Sequence, residues 1–157
     1  MTMLALSECV FCAMVADRTR VPHWIAESSR ALAFLSLEPV STGHSIVIPK
    51  RHFTDLSDVP GAEWNSVSEL ALRVARLLRR KLGTHEEYLY TGSWSRPGRK
   101  FPRLPLHVVP RGPDTIPRFD ERWNPPLRPS VSKLELVSLA RRTRSARSRA
   151  SSGSASA

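Results

Sequence analysis

The chain has 157 residues, 41% of them hydrophobic, which is enough for one domain with a buried core and too little for two full domains. It contains no apolar run of the roughly eighteen residues that a transmembrane helix needs. Its first residues also lack the basic start and the apolar stretch of an export signal. These features predict a soluble, cytoplasmic protein.

About half of the formal net charge of +10 lies near the C-terminus, because five arginines and no acidic residue follow Glu135. A basic tail of this kind is usually solvated and disordered. Binding to the phosphates of a nucleic acid is the alternative, and it rests mainly on this tail and on the overall charge.

The predicted elements follow the order α-β-β-β-α-β-β. Residues 13–16 are expected to form a short helix that ends before a polar segment and a proline. Three short strands come next, because apolar or β-branched runs alternate there with turn-forming residues. The three strand segments are residues 24–26, 31–35 and 45–49. A meander is the simplest arrangement for them.

Residues 60–82 predict the one long helix, because apolar side chains recur there at helical spacing. Glu63 would complement the positive N-terminal end of the helix dipole, and the basic residues 79–81 its negative C-terminal end. Gly83 suits the left-handed conformation of a C-cap.

Two further strands are predicted at residues 87–91 and 104–110, separated by a loop rich in Gly, Ser, Pro and Arg. We expect the folded core to end before residue 115, which gives a domain over residues 1–113. Residues 114–142 are then a Pro- and Arg-rich extension, with a short helix predicted at its end over residues 130–142. Residues 143–157 are expected to be a disordered tail that is basic and rich in Ser and Ala.

The only two cysteines, Cys9 and Cys12, are separated by two residues. In a reducing compartment such a pair is more typical of a metal site or a redox motif than of a structural disulfide. A thioredoxin-type pair would follow a strand within a βαβ pattern, and no such pattern precedes this pair. Metal binding is therefore the preferred interpretation.

Four segments, in the correct order, resemble characteristic segments of the histidine-triad (HIT) family. Two of them are strands: Gly43-His-Ser-Ile-Val-Ile-Pro-Lys-Arg-His52 resembles the family's GH-x-hydrophobic-VIPK-x-H strand, and Leu106-His-Val-Val-Pro-Arg111 resembles the end of its H-x-H-x-H-x-x-P-R signature. The others are Cys9-Val-Phe-Cys12, which resembles a zinc knuckle, and residues 33–39, which resemble an FLD-x-x-P strand. The resemblance implies an α+β fold that pairs into a homodimer, with an antiparallel sheet of about five strands, one long helix and a short N-terminal helix.

In the HIT family the signature strand carries three alternate histidines on one face. The middle histidine attacks the α-phosphorus of a nucleotide, and the last one hydrogen-bonds the phosphate. By this resemblance the last histidine is His107, the nucleophile position is Pro105 and the first position is Arg103. Proline has no nucleophilic group and no backbone donor, so the usual mechanism lacks its centre. His107 could still bind phosphate or act as a general acid or base.

Other positions of the expected pocket have also changed. The family's ribose-binding Asp aligns with Ser36, and a glutamine position of the loop before the signature holds Arg99. A cationic cluster, which includes Arg99 and Arg103, suits an anionic ligand. Trp94 in the same loop could stack on a flat ligand. Solvated loop arginines, and a tryptophan at a loop tip or a dimer contact, are the alternative interpretations.

Three residues, Cys9, Cys12 and His52, match the ligands of the zinc-binding members of the family. Those members take their fourth ligand from the first signature histidine, which is Arg103 here, whereas a closed zinc site needs four ligands. Either another group such as His85 or a water completes the site, or the site is vestigial. Two buried thiols and a surface imidazole are the alternative without metal.

Two further histidines are given no chemical task. His44, at the start of an apolar strand, is interpreted as a hydrogen-bonded structural residue. His23, beside a proline and a tryptophan, is expected at the surface or at a strand edge.

The first functional hypothesis is a protein that binds a nucleotide-like or other anionic small molecule without normal nucleotidyl hydrolysis or transfer. The second is an enzyme of small-molecule metabolism that reuses the fold, with His107 and the basic cluster at its centre. A residual nucleotide hydrolase or transferase is the third, and the lost nucleophile argues against it.

Overall fold

The computed structural model describes residues 9–53, 55–91, 104–111 and 131–148. Within them, five strands form one antiparallel sheet in the order β1-β2-β3-β5-β4. The strands are β1 (Trp24–Glu27), β2 (Ala31–Leu35), β3 (Ser45–Pro49), β4 (Glu86–Thr91) and β5 (Leu106–Arg111). This sheet confirms the α+β class and the antiparallel meander that the sequence predicts for the first three strands.

The long helix α2 (Gly61–Leu82) covers one face of the sheet. Its buried apolar side chains form one cluster with apolar side chains of the strands. The helix contributes Val67, Leu70, Ala71, Val74 and Leu78, and the strands contribute Ile25, Ala33, Val47 and Val108. The helix ends at Gly83, whose φ of 65° is left-handed and whose N–H donates to the Arg79 carbonyl, as the sequence predicts. At the other end, the buried Glu63 accepts a hydrogen bond from Arg30, which fixes the helix start to the turn between β1 and β2.

A short helix, α1 (Val10–Ala16), lies on the opposite face of the sheet and begins three residues earlier than predicted. Its Met14 packs with Leu32, Phe34 and Ile48 in a second, smaller core. Alternate residues of a strand share a face. On this second face, β5 carries His107 and β4 carries Tyr90, and the two residues are register partners.

A third helix, α3 (Lys133–Ser148), corrects the expectation that the folded core ends before residue 115. Leu136 and Ala140, one turn apart, are buried in the same cluster as the sheet residues under α2. The helix is longer than the predicted 130–142 segment, and it occupies residues 143–148, which were expected to belong to the disordered tail. Its apolar residues stand among many polar and basic ones, so its pattern is weak in the sequence.

One arginine of the basic tail has a structural task in docking α3. The guanidinium of Arg144 lies 4.4 Å from the centroid of the Trp24 ring. It also donates a hydrogen bond of 3.0 Å to the Pro22 carbonyl, just before the edge strand β1. The sequence assigns the C-terminal arginines to a solvated, disordered tail. One of them instead holds α3 against the edge of the sheet, by a cation–π contact and a hydrogen bond.

Truncating Leu136 should test whether α3 belongs to the core. Leu136 is 4% exposed, so Leu136→Ala is expected to lower the free energy of unfolding by about 2–5 kcal/mol. Leu134 in the same helix is 85% exposed, so Leu134→Ala should change it by less than about 0.5 kcal/mol. Urea denaturation followed by circular dichroism measures both. Equal, small effects of the two substitutions would mean that α3 is not docked.

Candidate functional site

His107 stands on the open part of the second sheet face, between β3 and β4. Its register partners are Ile46 in β3 and Tyr90 in β4. The Tyr90 ring stacks on the imidazole with centroids 4.4 Å apart and planes within 6° of parallel. One side of the His107 ring is thus covered by an aromatic platform, while the residue as a whole stays partly exposed.

His44 holds the His107 ring from the side through a hydrogen bond between its Nε2 and Nδ1 of His107, at 2.9 Å. The backbone N–H of Val40 donates to Nδ1 of His44 at 3.1 Å, so this nitrogen carries no proton. Nε2 of His44 must then carry the ring proton and donate it to Nδ1 of His107. The hydrogen-bond geometry therefore assigns the remaining proton of a neutral His107 to its Nε2.

Burial lowers the pKa of His107 to about 4, so its imidazole is neutral near pH 7. Protonation at Nδ1 would also break the hydrogen bond that this atom accepts from His44. The ring consequently presents a neutral Nε2–H donor rather than a cation. Such a group can bind an anionic oxygen, and it is a weak general base at neutral pH.

The position of His44 depends on the preceding glycine. Gly43 has a φ of 89°, and a Cβ added there would lie 2.5 Å from Cδ1 of Leu82 and 3.3 Å from Cδ2 of Leu78. Only glycine lets β3 begin this close to the end of α2. His44 was interpreted as a hydrogen-bonded structural residue. It is indeed 2% exposed and hydrogen-bonded, but the structure pairs it with His107 and thereby makes it part of the site.

Two other residues expected in the pocket are engaged in hydrogen bonds with their surroundings. Pro105 is buried just before β5, and its carbonyl accepts a hydrogen bond of 2.8 Å from the Thr91 hydroxyl. Ser36 is 5% exposed, and its hydroxyl accepts the Glu38 N–H within its own turn. Trp94, Arg99 and Arg103 lie outside the described residues.

A second group of reactive side chains lies at the opposite end of β3. Cys9 immediately precedes α1, Cys12 lies within it, and His52 follows β3. The Sγ atoms of the cysteines and a ring nitrogen of His52 are all within 4.8 Å of one another, and Cys12 Sγ is 3.2 Å from His52 Nδ1. Two thiols and an imidazole at this spacing are a donor set that suits zinc.

His85, named from the sequence as a further metal ligand, does not join this group. Its backbone N–H donates to the carbonyl of Arg111, at the end of β5 that is farther from His52. Among the residues that the structure describes, the candidate metal centre consists of Cys9, Cys12 and His52 alone.

Comparison with known proteins decides the family. The profile of the HIT domain family matches residues 20–114, more than half of the chain. The chain belongs to the HIT family. A HIT-like protein of Mycoplasma genitalium is 33% identical over 105 residues, which cover 67% of this chain and 74% of that protein. The adenosine 5′-monophosphoramidase of Saccharomyces cerevisiae is 26% identical over 104 residues, which cover 66% of this chain and 62% of the enzyme.

Solved structures show the same HIT fold. A zinc-bound histidine triad family protein from Mycobacterium smegmatis has a TM-score of 0.67 at 28% identity, covering 90% of this chain and 96% of that one. A histidine triad nucleotide-binding protein from Sulfolobus tokodaii has a TM-score of 0.71 at 22% identity, covering 90% and 93% of the two chains. In the described part of this HIT protein, no helix has the length and apolar character needed to cross a membrane.

Sequence reasoning missed Tyr90 and misplaced His23. Tyr90 could have been found by pairing the two predicted strands, but the register is set by the loop between them, and the sequence does not fix it. His23 is 2% exposed rather than at the surface, its ring meets that of Phe34 edge-on, and neither ring nitrogen has a hydrogen-bond partner among the described residues. Burial, with a smaller effect of the charge of Lys133, lowers the pKa of His23 to about 4.

The lowered pKa values of His23 and His107 predict a specific loss of stability in mild acid. Their pKa values are near 6.5 in the unfolded chain and about 4 in the folded one, so below pH 6.5 the unfolded state binds protons first. The free energy of unfolding should therefore fall between pH 6.5 and about 4, by about 1.4 kcal/mol per pH unit for each histidine.

Replacing one of these two histidines should halve the slope of the free energy of unfolding against pH. His23→Phe is expected to remove about half of this pH dependence, as measured by urea denaturation at a series of pH values. His85→Gln, at an exposed position between α2 and β4, is the matched control and should keep the full slope. An unchanged slope in His23→Phe would contradict the assignment.

Proposed function

We propose that this HIT protein binds a nucleotide-like or other anionic small molecule at His107 without the normal nucleotidyl transfer or hydrolysis. One observation carries the proposal: His44 and Tyr90 hold His107 as a neutral donor. In the register of the family resemblance, Pro105 falls on the position of the nucleophile. Proline cannot form a nucleotidyl intermediate. The retained parts are those that bind a phosphate, and the missing part is the one that reacts with it.

The expected ligand has a phosphate and a flat ring. A neutral imidazole N–H suits one phosphate oxygen, and Arg99 and Arg103 would add forked donors near the start of β5. Trp94 would stack on a ring, and Ser36 replaces the carboxylate that would otherwise select a ribose. The yeast relative is named for action on an adenosine 5′-monophosphoramidate, which makes adenosine monophosphate a reasonable first ligand to test.

A repurposed enzyme is the second candidate, and the histidine pair is the observation that favours it. Two imidazoles joined at 2.9 Å can pass a proton between Nε2 of His44 and Nδ1 of His107. The low pKa of His107 argues against general base catalysis near pH 7, because the base would be far from the ambient pH. Binding is therefore the function that the site supports better.

Ligand binding and turnover can be measured separately. Titration calorimetry with adenosine monophosphate should show binding to the unmodified chain. In His107→Ala, loss of a hydrogen bond to a charged phosphate should weaken this binding by about tenfold to a hundredfold. His85→Ala is the control and should bind as the unmodified chain does.

Intact-mass spectrometry after incubation with adenosine 5′-monophosphoramidate should show neither a nucleotidyl adduct nor released product. Pro105→His, which supplies an imidazole at the expected nucleophile position, is the matched variant. Clear turnover by the unmodified chain would overturn the proposal.

We also propose that Cys9, Cys12 and His52 bind zinc. The donor atoms already lie within 4.8 Å of one another, and neither cysteine is in a disulfide. Bound there, zinc would supply a cross-link between the start of α1 and the segment after β3. Cysteines outside a disulfide also suit a reducing compartment, so a cytoplasmic location is part of this proposal.

A homodimer that joins two copies along β4 is the third part of the proposal. β4 is an edge strand, and Leu89 in its centre is 48% exposed on the α2 side of the sheet. Leu72 of α2 is 47% exposed and lies two helical turns before Arg79. Because Arg79 donates a hydrogen bond to Glu87 of β4, Leu72 and Leu89 border the same edge of the sheet. Exposed apolar groups on an edge strand favour strand pairing with a second copy.

A charge placed on this edge should prevent the pairing. Leu89→Asp is expected to give a monomer in sedimentation velocity at concentrations where the unmodified chain is a dimer. The introduced carboxylate would be buried at the interface with the second copy. Leu134→Asp, on the far helix α3, introduces the same charge at an exposed leucine and should leave the dimer intact. A monomeric unmodified chain would contradict the proposal.

A further inference from the structure

Cys9 and Cys12 lie on the same helical turn, at a separation that suits a disulfide as well as a metal. The carbonyl of Cys9 accepts a hydrogen bond of 3.1 Å from the Ala13 N–H, so the first turn of α1 begins at Cys9. Three residues apart on such a turn, the two Cα atoms are separated by about 5 Å, which is within the range that a disulfide spans. The two Sγ atoms lie within 4.8 Å of each other and are not bonded. Rotation of the two side chains would therefore bring the sulfurs to bonding distance while the backbone of the turn is kept.

The two sulfurs differ in exposure, which sets the order of an oxidation. Cys12 is partly exposed, whereas Cys9 is 3% exposed. A small disulfide from solution can therefore reach Cys12 first. Cys12 would then carry a mixed disulfide within reach of Cys9, which is the arrangement in which a second, resolving cysteine completes the exchange.

A bond between Cys9 and Cys12 would be easy to reverse. A disulfide stabilises a fold mainly when it closes a long loop of the unfolded chain, and this one would enclose only two intervening residues. The bond would add little to the stability of the fold, so its reduction would cost little. The small core in which Met14 packs on Leu32 and Ile48 includes neither cysteine, so it can hold α1 on the sheet in both states.

We propose that Cys9 and Cys12 are a site of reversible oxidation, at which a disulfide and a bound zinc ion exclude each other. Cys12, as the thiolate, attacks one sulfur of a low-molecular-weight disulfide such as oxidised glutathione and releases one glutathione. Cys9 then attacks the Cys12 sulfur of the mixed disulfide and releases the second glutathione. The two cysteine thiols are oxidised, the small disulfide is reduced to two thiols, and the two cysteine protons pass to them.

The disulfide would remove two of the three candidate zinc ligands. Zinc is bound by thiolates, and neither sulfur of a disulfide is a thiolate. Of the three, only His52, whose Nδ1 lies 3.2 Å from Cys12 Sγ, could still bind the metal. The link between α1 and the segment after β3 would therefore open on oxidation and close again on reduction in the presence of zinc. The inference rests on the zinc binding proposed above for its metal-bound state only.

Intact-mass spectrometry of the zinc-free full chain after incubation with oxidised glutathione tests the bond. The expected product is a monomer that has lost two hydrogen atoms and retains no glutathione, and excess reduced glutathione should restore both thiols. Cys9→Ser should keep a glutathione on Cys12, because the resolving thiol is absent. Cys12→Ser should react at least about tenfold more slowly than Cys9→Ser, since its remaining thiol is buried. Circular dichroism checks that both variants are folded.

The zinc-loaded chain tests the exclusion. Bound zinc should slow the oxidation at least about tenfold, because the exchange requires a thiolate that is free to attack. As the disulfide forms, the zinc that stays with the protein after gel filtration should fall in proportion to it.

Three outcomes would contradict the proposal in different ways. Glutathione that stays on Cys12 of the unmodified chain, or disulfide-linked dimers, would overturn the internal disulfide and leave zinc binding intact. Zinc that stays with the fully oxidised chain would overturn the exclusion. A chain that forms the disulfide but never retains zinc would overturn the zinc binding proposed above, and the exclusion with it, while the site of oxidation would stand.

Discussion

The passage of Gly43 beneath the end of α2 is the constraint on which the site depends. With no side chain at this position, β3 can start next to Leu78 and Leu82, and the strand is then held in register between β2 and β5. The hydroxyl of Ser41 in the same turn donates to the Pro110 carbonyl, which ties the turn to β5 as well. The backbone geometry thereby points the His44 ring at His107. The pair Gly43 and His44 is explained by this one arrangement, because the glycine permits the backbone conformation that places the histidine.

The hydrogen bonds of this turn fix which nitrogen of His107 carries its proton, which burial alone would not fix. The Val40 amide fixes the tautomer of His44, His44 fixes that of His107, and the outer nitrogen of His107 is left as a donor. Desolvation keeps the ring neutral, so the donor persists across the physiological pH range. By the family resemblance, the nucleophile would stand two residues earlier on the same face, where Pro105 offers only a carbonyl that already accepts a hydrogen bond from Thr91.

The sequence predicted the sheet, the long helix with its glycine cap, and the approach of Cys9 and Cys12 to His52, because each leaves a local pattern. Strand alternation, helical spacing and short motifs are readable within a window of a few turns. Three other features depend on tertiary contacts that no local pattern encodes. α3 docks through Leu136, Ala140 and Arg144 onto the edge of β1, and its many arginines resemble a solvated tail. His23 looks polar but is buried with its ring against Phe34. Tyr90 reaches His107 only through the β4–β5 register.

The changes at Arg103 and Pro105 concern two different sites that a single strand would serve. Alternate residues of a strand share a face and advance by about 6.6 Å per pair, so position 107 lies one such step beyond Pro105, towards His44. By the family resemblance, positions 103 and 105 are those of the fourth metal ligand and of the nucleophile, and neither Arg103 nor Pro105 can take that role. His107, two residues further on, has its partner His44 at 2.9 Å. In this register the strand therefore keeps the residue proposed to bind phosphate and lacks those of the two other roles.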